Sequence, residues 1–269
     1  MKRIEKAFEY YKQGNWQKAI DVFSSVLETG PDSAEIHNNM GICYRQLGDL
    51  EQAEKHYLRA RELDPKIPQV YINLADIYYV IKDFDSGIQL LSQGVYEMPE
   101  NPVLRHYLAR FYMEDAKFDL AVDELEKILE NQPENYDAYY DLGRVHFELG
   151  NYHLAVENFE NVIEYKANEY IHYFLGQAYE ANNETDKAIS NYLKAIAFDN
   201  GFKPAYKKLG ILFLAREDYE DAVEYFEDYM KMDVPDADKI KELVERIKMK
   251  TGNTLSLRER VRTLGETAS

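Results

Sequence analysis

Residues able to do chemistry are few in this chain, and their spacing does not assemble them into a reactive centre. There are six histidines and one cysteine, Cys43. His146 falls in a column of large aromatic residues, and His37 and His172 share a second packing column. His56 and His153 lie on the helical segments that follow, where partial exposure is expected. No HExxH, Cys/His ligand spacing, GxSxG or phosphate-binding glycine loop occurs. A single thiol forms neither an intramolecular disulfide nor a thiolate metal cluster. Cys43, beside Tyr44 on an apolar face, reads as an inert buried thiol. The 49 Asp and Glu residues spread over solvated helical faces instead of pairing as general acid and base. The expectation is a chain that is not an enzyme, with no catalytic residue, no cofactor and no bound metal.

Charge narrows the remaining roles. The formal net charge of −17 opposes broad nucleic-acid binding, which needs cations to neutralise phosphates. It equally disfavours anionic membrane surfaces. No apolar run approaches the roughly 18 residues of a membrane span. The segment Met1–Lys6 turns charged and helical at once, without the apolar stretch of a signal peptide. A soluble, cytoplasmic protein without direct membrane insertion is the expectation.

What could position side chains is a periodic scaffold. The segment from Asn39-Met40-Gly41 to Asp64-Pro65 recurs about 34 residues later at Asn73-Leu74-Ala75 through Pro99, and again from Asp141 and from Lys208. Two columns are uniformly small: Ala7, Gly41, Ala75, Ala109, Gly143, Gly176 and Gly210, then Ala19, Ala53, Gly87, Ala121, Ala155, Ala188 and Ala222. Bulky columns alternate with them, at Tyr10, Tyr44, Tyr78, Tyr112, His146, Tyr179 and Phe213, and at Phe23, Tyr57, Leu91, Leu125, Phe159, Tyr192 and Phe226. Small against large at fixed spacing is how two facing helices interdigitate. Gly14, Gly48 and Gly150 stand where the first helix of a pair ends in a left-handed residue. Pro31, Pro65, Pro99 and Pro133 close the second helix. Apolar spacing is i, i+3, i+4, i+7 throughout, with no strand signal.

This pattern resembles the tetratricopeptide repeat family over about residues 1–235, with Trp16, Leu50, Phe84, Phe118, Tyr152 and Tyr219 at its inter-helix aromatic position and Thr185 as a departure. The resemblance implies an all-α fold, a right-handed α-solenoid of seven antiparallel helix-turn-helix repeats. The repeats fall at about 1–33, 34–67, 68–101, 102–135, 136–168, 169–202 and 203–235, followed by a capping helix over 236–251. It also implies a protein-binding scaffold, and it accounts for most of the 23 tyrosines as packing residues.

In this family the first helix of each pair lines a concave groove. Carried over position by position, the resemblance places Asn38, Asn39, Arg45, Asn73, Asp76, Tyr79, His106 and Glu114 there. In later repeats it adds Asp137, Asp141, Glu148, Gln177, Glu180, Lys207 and Lys208. Tyr107 and Phe174 stand where asparagine is usual, Tyr170 is a further aromatic, and Tyr140, Phe147 and Tyr173 fill ordinary aromatic positions. Arg110 and Arg144 occupy one position of adjacent repeats, each with a glutamate four residues on, Glu114 and Glu148. Tyr107, Arg110, Tyr140, Arg144, Phe147, Tyr170, Tyr173 and Phe174 are therefore the expected groove for a protein or peptide ligand, with Tyr107, Arg110, Arg144 and Phe174 expected to face the groove and not the inter-helix core. The family's clamp for acidic chaperone C-termini is not matched, because Ile4, Phe8, Ile42 and Ile72 occupy places it needs, so no chaperone-tail adaptor is expected.

The ends differ from the middle. Ile240, Leu243, Val244 and Ile247 form one stripe of the capping helix, with Lys239, Lys241, Glu242 and Arg246 opposite. Residues 252–269 form a tail: Ser256 and Glu259 have the form of a capping box, and Leu257, Val261 and Leu264 follow at helical spacing. The tail is either disordered or a short basic amphipathic docking helix, and the alternative to a peptide-binding scaffold is a self-assembling structural protein, a homo-oligomer whose tail or end repeat docks on a neighbouring copy.

Overall fold

Helical periodicity carries through the chain. A computed structural model describes residues 2–252. Within these lie fifteen helices and no strand. The expected tail residues Leu257, Val261 and Leu264 lie outside the described residues. Two compact units divide between Ala138 and Tyr139. The first holds α1 (Lys2–Lys12), α2 (Trp16–Thr29), α3 (Ala34–Gln46), α4 (Leu50–Leu63), α5 (Pro68–Ile81), α6 (Phe84–Glu97), α7 (Pro102–Glu114) and α8 (Phe118–Asn131). After α9 (Tyr136–Glu148), the second holds α10 (Tyr152–Ile163), α11 (Glu169–Ala181), α12 (Thr185–Phe198), α13 (Lys203–Ala215), α14 (Tyr219–Met230) and α15 (Ala237–Thr251). No helix among the described residues is long and apolar enough to cross a membrane.

The two-column reading has a direct structural counterpart. Ideal Cβ atoms at Gly41, Gly143, Gly176 and Gly210 would fall 2.5–2.9 Å from ring atoms of Tyr57, Phe159, Tyr192 and Phe226, respectively. The small residue of each first helix thus receives the bulky residue of its own second helix, and all four rings are buried. Burial of such side chains supplies most of the stability, at about 25 cal/mol per Å².

The turn between paired helices keeps one backbone geometry while its residue changes. Gly14, Gly48 and Gly150 have positive φ, as expected, but so do Lys82 (59°), Ala116 (53°), Asn183 (64°) and Glu217 (63°) at the equivalent place. Glycine marks only three of seven such turns, because packing of the helix pair holds side-chain-bearing residues in the left-handed region there. Helix starts are capped by Ser33, Asp49, Asp83, Asn101 and Asn168, whose side chains accept backbone N–H bonds.

The last helix closes the second unit. Ile240, Val244 and Ile247 are buried against Ala222, Phe226 and Tyr229, and Leu243 packs beside them. Asp236 ties the cap down, accepting from Tyr229 at 2.7 Å and pairing with Lys207 at 2.5 Å. These bonds to the ionised carboxylate hold Asp236 below its usual pKa.

Candidate functional site

Polar links between alternate helices define a shared face. In the first unit, Asn73 donates to Asn38 at 3.0 Å, Arg45 pairs with Asp76 at 2.9 Å, and Tyr79 donates to Glu114 at 3.0 Å. These contacts run from α3 to α5 and from α5 to α7. In the second unit, Lys208 of α13 pairs with Glu180 of α11 at 3.0 Å, and Glu180 also accepts from Tyr192 at 2.6 Å. The first helices of successive repeats therefore lie side by side within each unit.

On this face the second unit carries a connected set of aromatic rings. Phe174 lies 6.0 Å from Phe159, nearly parallel, and 5.9 Å from Tyr140, edge to face. Tyr173 contacts Phe174 at 5.9 Å and Phe202 at 5.4 Å, and Tyr170 meets Phe202 at 5.2 Å. Phe147 packs on Tyr152 at 5.5 Å. Such pairs contribute about 0.5–1.5 kcal/mol each beyond burial. Burial raises the Tyr140 and Tyr173 hydroxyl pKa values, so both remain protonated donors at neutral pH.

The expectation that Tyr107 and Phe174 face the groove and not the core needs correction. Tyr140, Phe147, Tyr173 and Phe174 are half-buried and pack against the core of the second unit. Tyr107 is likewise half-buried against the core of the first. Tyr170 alone among these aromatics is exposed, at 54%. An aromatic side chain on a helix flank is wide enough to contact the core on one edge and solvent on the other.

The arginines also differ from the simple helix-pair account. Arg110 lies over the Tyr107 ring at 5.8 Å and Arg144 over Tyr140 at 5.9 Å, both within cation–π range. Arg144 reaches Asp141 at 3.3 Å, while Glu114 receives Tyr79 instead of anchoring Arg110. Arg110 belongs to the first unit and Arg144 to the second. Phe159, Phe202 and Tyr192, which hold the aromatic set together, went unnoticed as site residues. Their sequence positions mark them as packing residues, and only their neighbours show the second role.

Cys43 and His172 are held in structural roles. Cys43 is fully buried, and desolvation pushes its thiol up to about 11, so it stays protonated at neutral pH. Among the described residues no three His, Cys, Asp or Glu side chains converge as a ready-made metal cage. Buried His172 bonds Asn191 at 3.0 Å, and burial lowers its pKa from 6.5. Below about pH 6.5 the unfolded chain binds a proton that folded His172 resists. Its contribution to stability is thus complete above that pH and declines as pH falls through the window beneath it. The urea midpoint of the wild type should drop more between about pH 7 and pH 5 than that of His172→Gln. Equal drops would remove His172 as the cause.

Paired helices with a shared first-helix face define a helical-repeat protein. Tetratricopeptide repeat models match residues 34–67, 108–161, 140–201 and 205–238, and the chain belongs to the tetratricopeptide repeat family. It is 25% identical over 91 residues to Hsp70-Hsp90 organizing protein 3 of Arabidopsis thaliana, covering 34% of this chain and 16% of that protein. It is 28% identical over 90 residues to Photosystem I assembly protein Ycf3 of Synechococcus elongatus, covering 30% of this chain and 52% of that protein. The chain thus spans about half or less of these relatives. The C-terminal part of a repeat protein from Cytophaga hutchinsonii matches with a TM-score of 0.74 at 18% identity, covering 88% of this chain and 98% of that one, a likeness of fold. Proteins of this family mediate protein–protein interaction and complex assembly.

Proposed function

We propose that this chain is a non-catalytic scaffold that binds a peptide segment or helix of a partner protein along its first-helix face. The observation that carries the reading is the aromatic set of the second unit, with exposed Tyr170 at its margin and Arg144 laid over Tyr140. Tyrosine and arginine are the residues that dominate binding energy at protein interfaces. The similarity to an assembly protein and to a chaperone-organising protein supports the same class of role.

Half-burial decides which variants test this cleanly. Phe174→Ala removes core contacts as well as groove surface, so its effect mixes folding with binding. Tyr170→Ala and Arg144→Ala disturb the core less: exposed Tyr170 gives up one edge contact with Phe202, and exposed Arg144 its contacts with Tyr140 and Asp141. A partner captured from native extract and then titrated should lose about 2 kcal/mol or more of affinity with Tyr170→Ala, with helicity unchanged. Arg110→Ala probes the first unit in the same way, whereas Tyr107→Ala, like Phe174→Ala, also removes core contacts. Glu157→Ala, on exposed surface of the second helix of its pair, should leave affinity unchanged. Wild-type affinity in Tyr170→Ala, Arg144→Ala and Arg110→Ala together would place the binding site elsewhere.

A further inference from the structure

One pair of equivalent positions ties the two helices of several repeats through polar side chains. In the fourth repeat it holds Arg105 and Glu124, an ion pair at 2.5 Å; in the sixth it holds His172 and Asn191, 3.0 Å apart. Each of those pairs matches a donor with an acceptor. In the second repeat the same two positions hold His37 and His56, with Nδ1 facing Nδ1 at 2.8 Å.

The two imidazoles meet edge to edge. Their centroids are 5.1 Å apart, which exceeds the nitrogen separation by about the width of one ring, and their planes differ by 29°. The two nitrogens therefore point at a common place between the rings. His37 Nε2 donates to Asp32 at 2.7 Å, which fixes its tautomer and leaves the Nδ1 lone pair directed at His56. A carboxylate on the far nitrogen is the usual way a metal-binding histidine is oriented. Tyr44 stacks on His56 at 5.2 Å and limits its rotation.

The surroundings suit a cation. The adjoining cleft is lined by Glu51, Glu54 and Glu62 against Lys55 and Arg59. Arg59 is already engaged, by Asp32 and by Glu62 at 2.9 Å.

We propose that His37 and His56 form a two-nitrogen site for a first-row transition-metal dication of the zinc, nickel or copper class, with Asp32 as the positioning residue. Binding moves the His56 proton from Nδ1 to Nε2, so both rings stay neutral and the metal takes the place of the intervening N–H. At Zn–N distances of about 2.0–2.1 Å, tetrahedral coordination needs the nitrogens to part by ~0.5 Å and each ring to turn in its own plane by roughly 35° from the present head-on alignment. Water from the open cleft completes the coordination. Imidazole nitrogens suit these metals over calcium or magnesium. The proposal departs from the sequence expectation of no metal, which rested on short ligand motifs; these two ligands lie 19 residues apart.

The test uses the full 269-residue chain without an affinity tag. Zinc chloride alone is titrated by calorimetry at neutral pH, and the imidazole ¹⁵N shifts are followed in parallel. The wild type should bind one zinc saturably, with shifts at Nδ1 of His37 and His56. His37→Gln and His56→Gln should abolish that binding, Asp32→Asn should weaken it at least about tenfold, and His153→Ala should leave it unchanged. Circular dichroism confirms that each variant folds, and the wild-type shifts decide the matter if a variant does not. No saturation at millimolar zinc, shifts confined to other histidines, or undiminished affinity in a folded His56→Gln would overturn the proposal and leave a structural pair sharing one proton.

Discussion

Gly143→Ala is expected to destabilise the second unit in the wild type and to stabilise it in a Phe159→Ala background. Alanine in place of glycine inside a helix normally gains about 1 kcal/mol. Here the new methyl carbon would lie 2.7 Å from Cε1 and 2.8 Å from Cδ1 of Phe159. That ring cannot swing aside freely, because Phe174 stacks on it and Tyr140 packs beside it. Overpacking of this kind costs about 1–3 kcal/mol, enough to reverse the helix-propensity gain. Phe159→Ala alone removes a 1% exposed ring and should cost about 3–5 kcal/mol. With that ring gone, the methyl at position 143 meets no clash and its propensity gain returns. Urea unfolding of the four variants, followed by circular dichroism, gives the coupling directly. A Gly143→Ala effect of the same sign in both backgrounds would rule out the close ring approach.

Glu124→Ala should destabilise the first unit by about 3 kcal/mol, and Arg105→Met/Glu124→Leu should recover most of that loss. The Arg105 and Glu124 side chains are only 16% and 12% exposed, and they meet at 2.5 Å. Arg105 also donates to the Pro99 carbonyl at 3.0 Å, and Lys127 reaches Glu124 at 2.8 Å. Removing the carboxylate leaves a largely buried guanidinium with one carbonyl acceptor. Removing both charges together strands neither, which is why replacing a buried pair by apolar residues is close to neutral. Urea midpoints of the three chains measure this. A double variant no more stable than Glu124→Ala would mean that shape, not charge, dominates the site.

The aromatic set of the first-helix face was legible only in part. The resemblance placed the aromatic positions, and the structure shows Tyr140, Tyr173 and Phe174 together with Tyr170 in one unit. It did not show that Phe174 is half-buried or that Phe159 and Phe202 complete the set. Nor did it assign the arginines, whose nearest helix glutamates proved not to be their recorded partners.

The sequence by itself determined the helical repeat and the meeting of small with bulky columns. Those features follow from local geometry: 3.6 residues per turn puts fixed offsets on one face, and a helix pair can approach closely only where a side chain is absent or small. Tertiary structure decided which polar group meets which. His37 reaches His56 and Arg105 reaches Glu124 across 19 residues, and Tyr79 reaches Glu114 across 35. Long polar side chains have many rotamers and several partners within reach of any spacing, so their pairing depends on how neighbouring helices are offset, which periodicity along the chain does not encode.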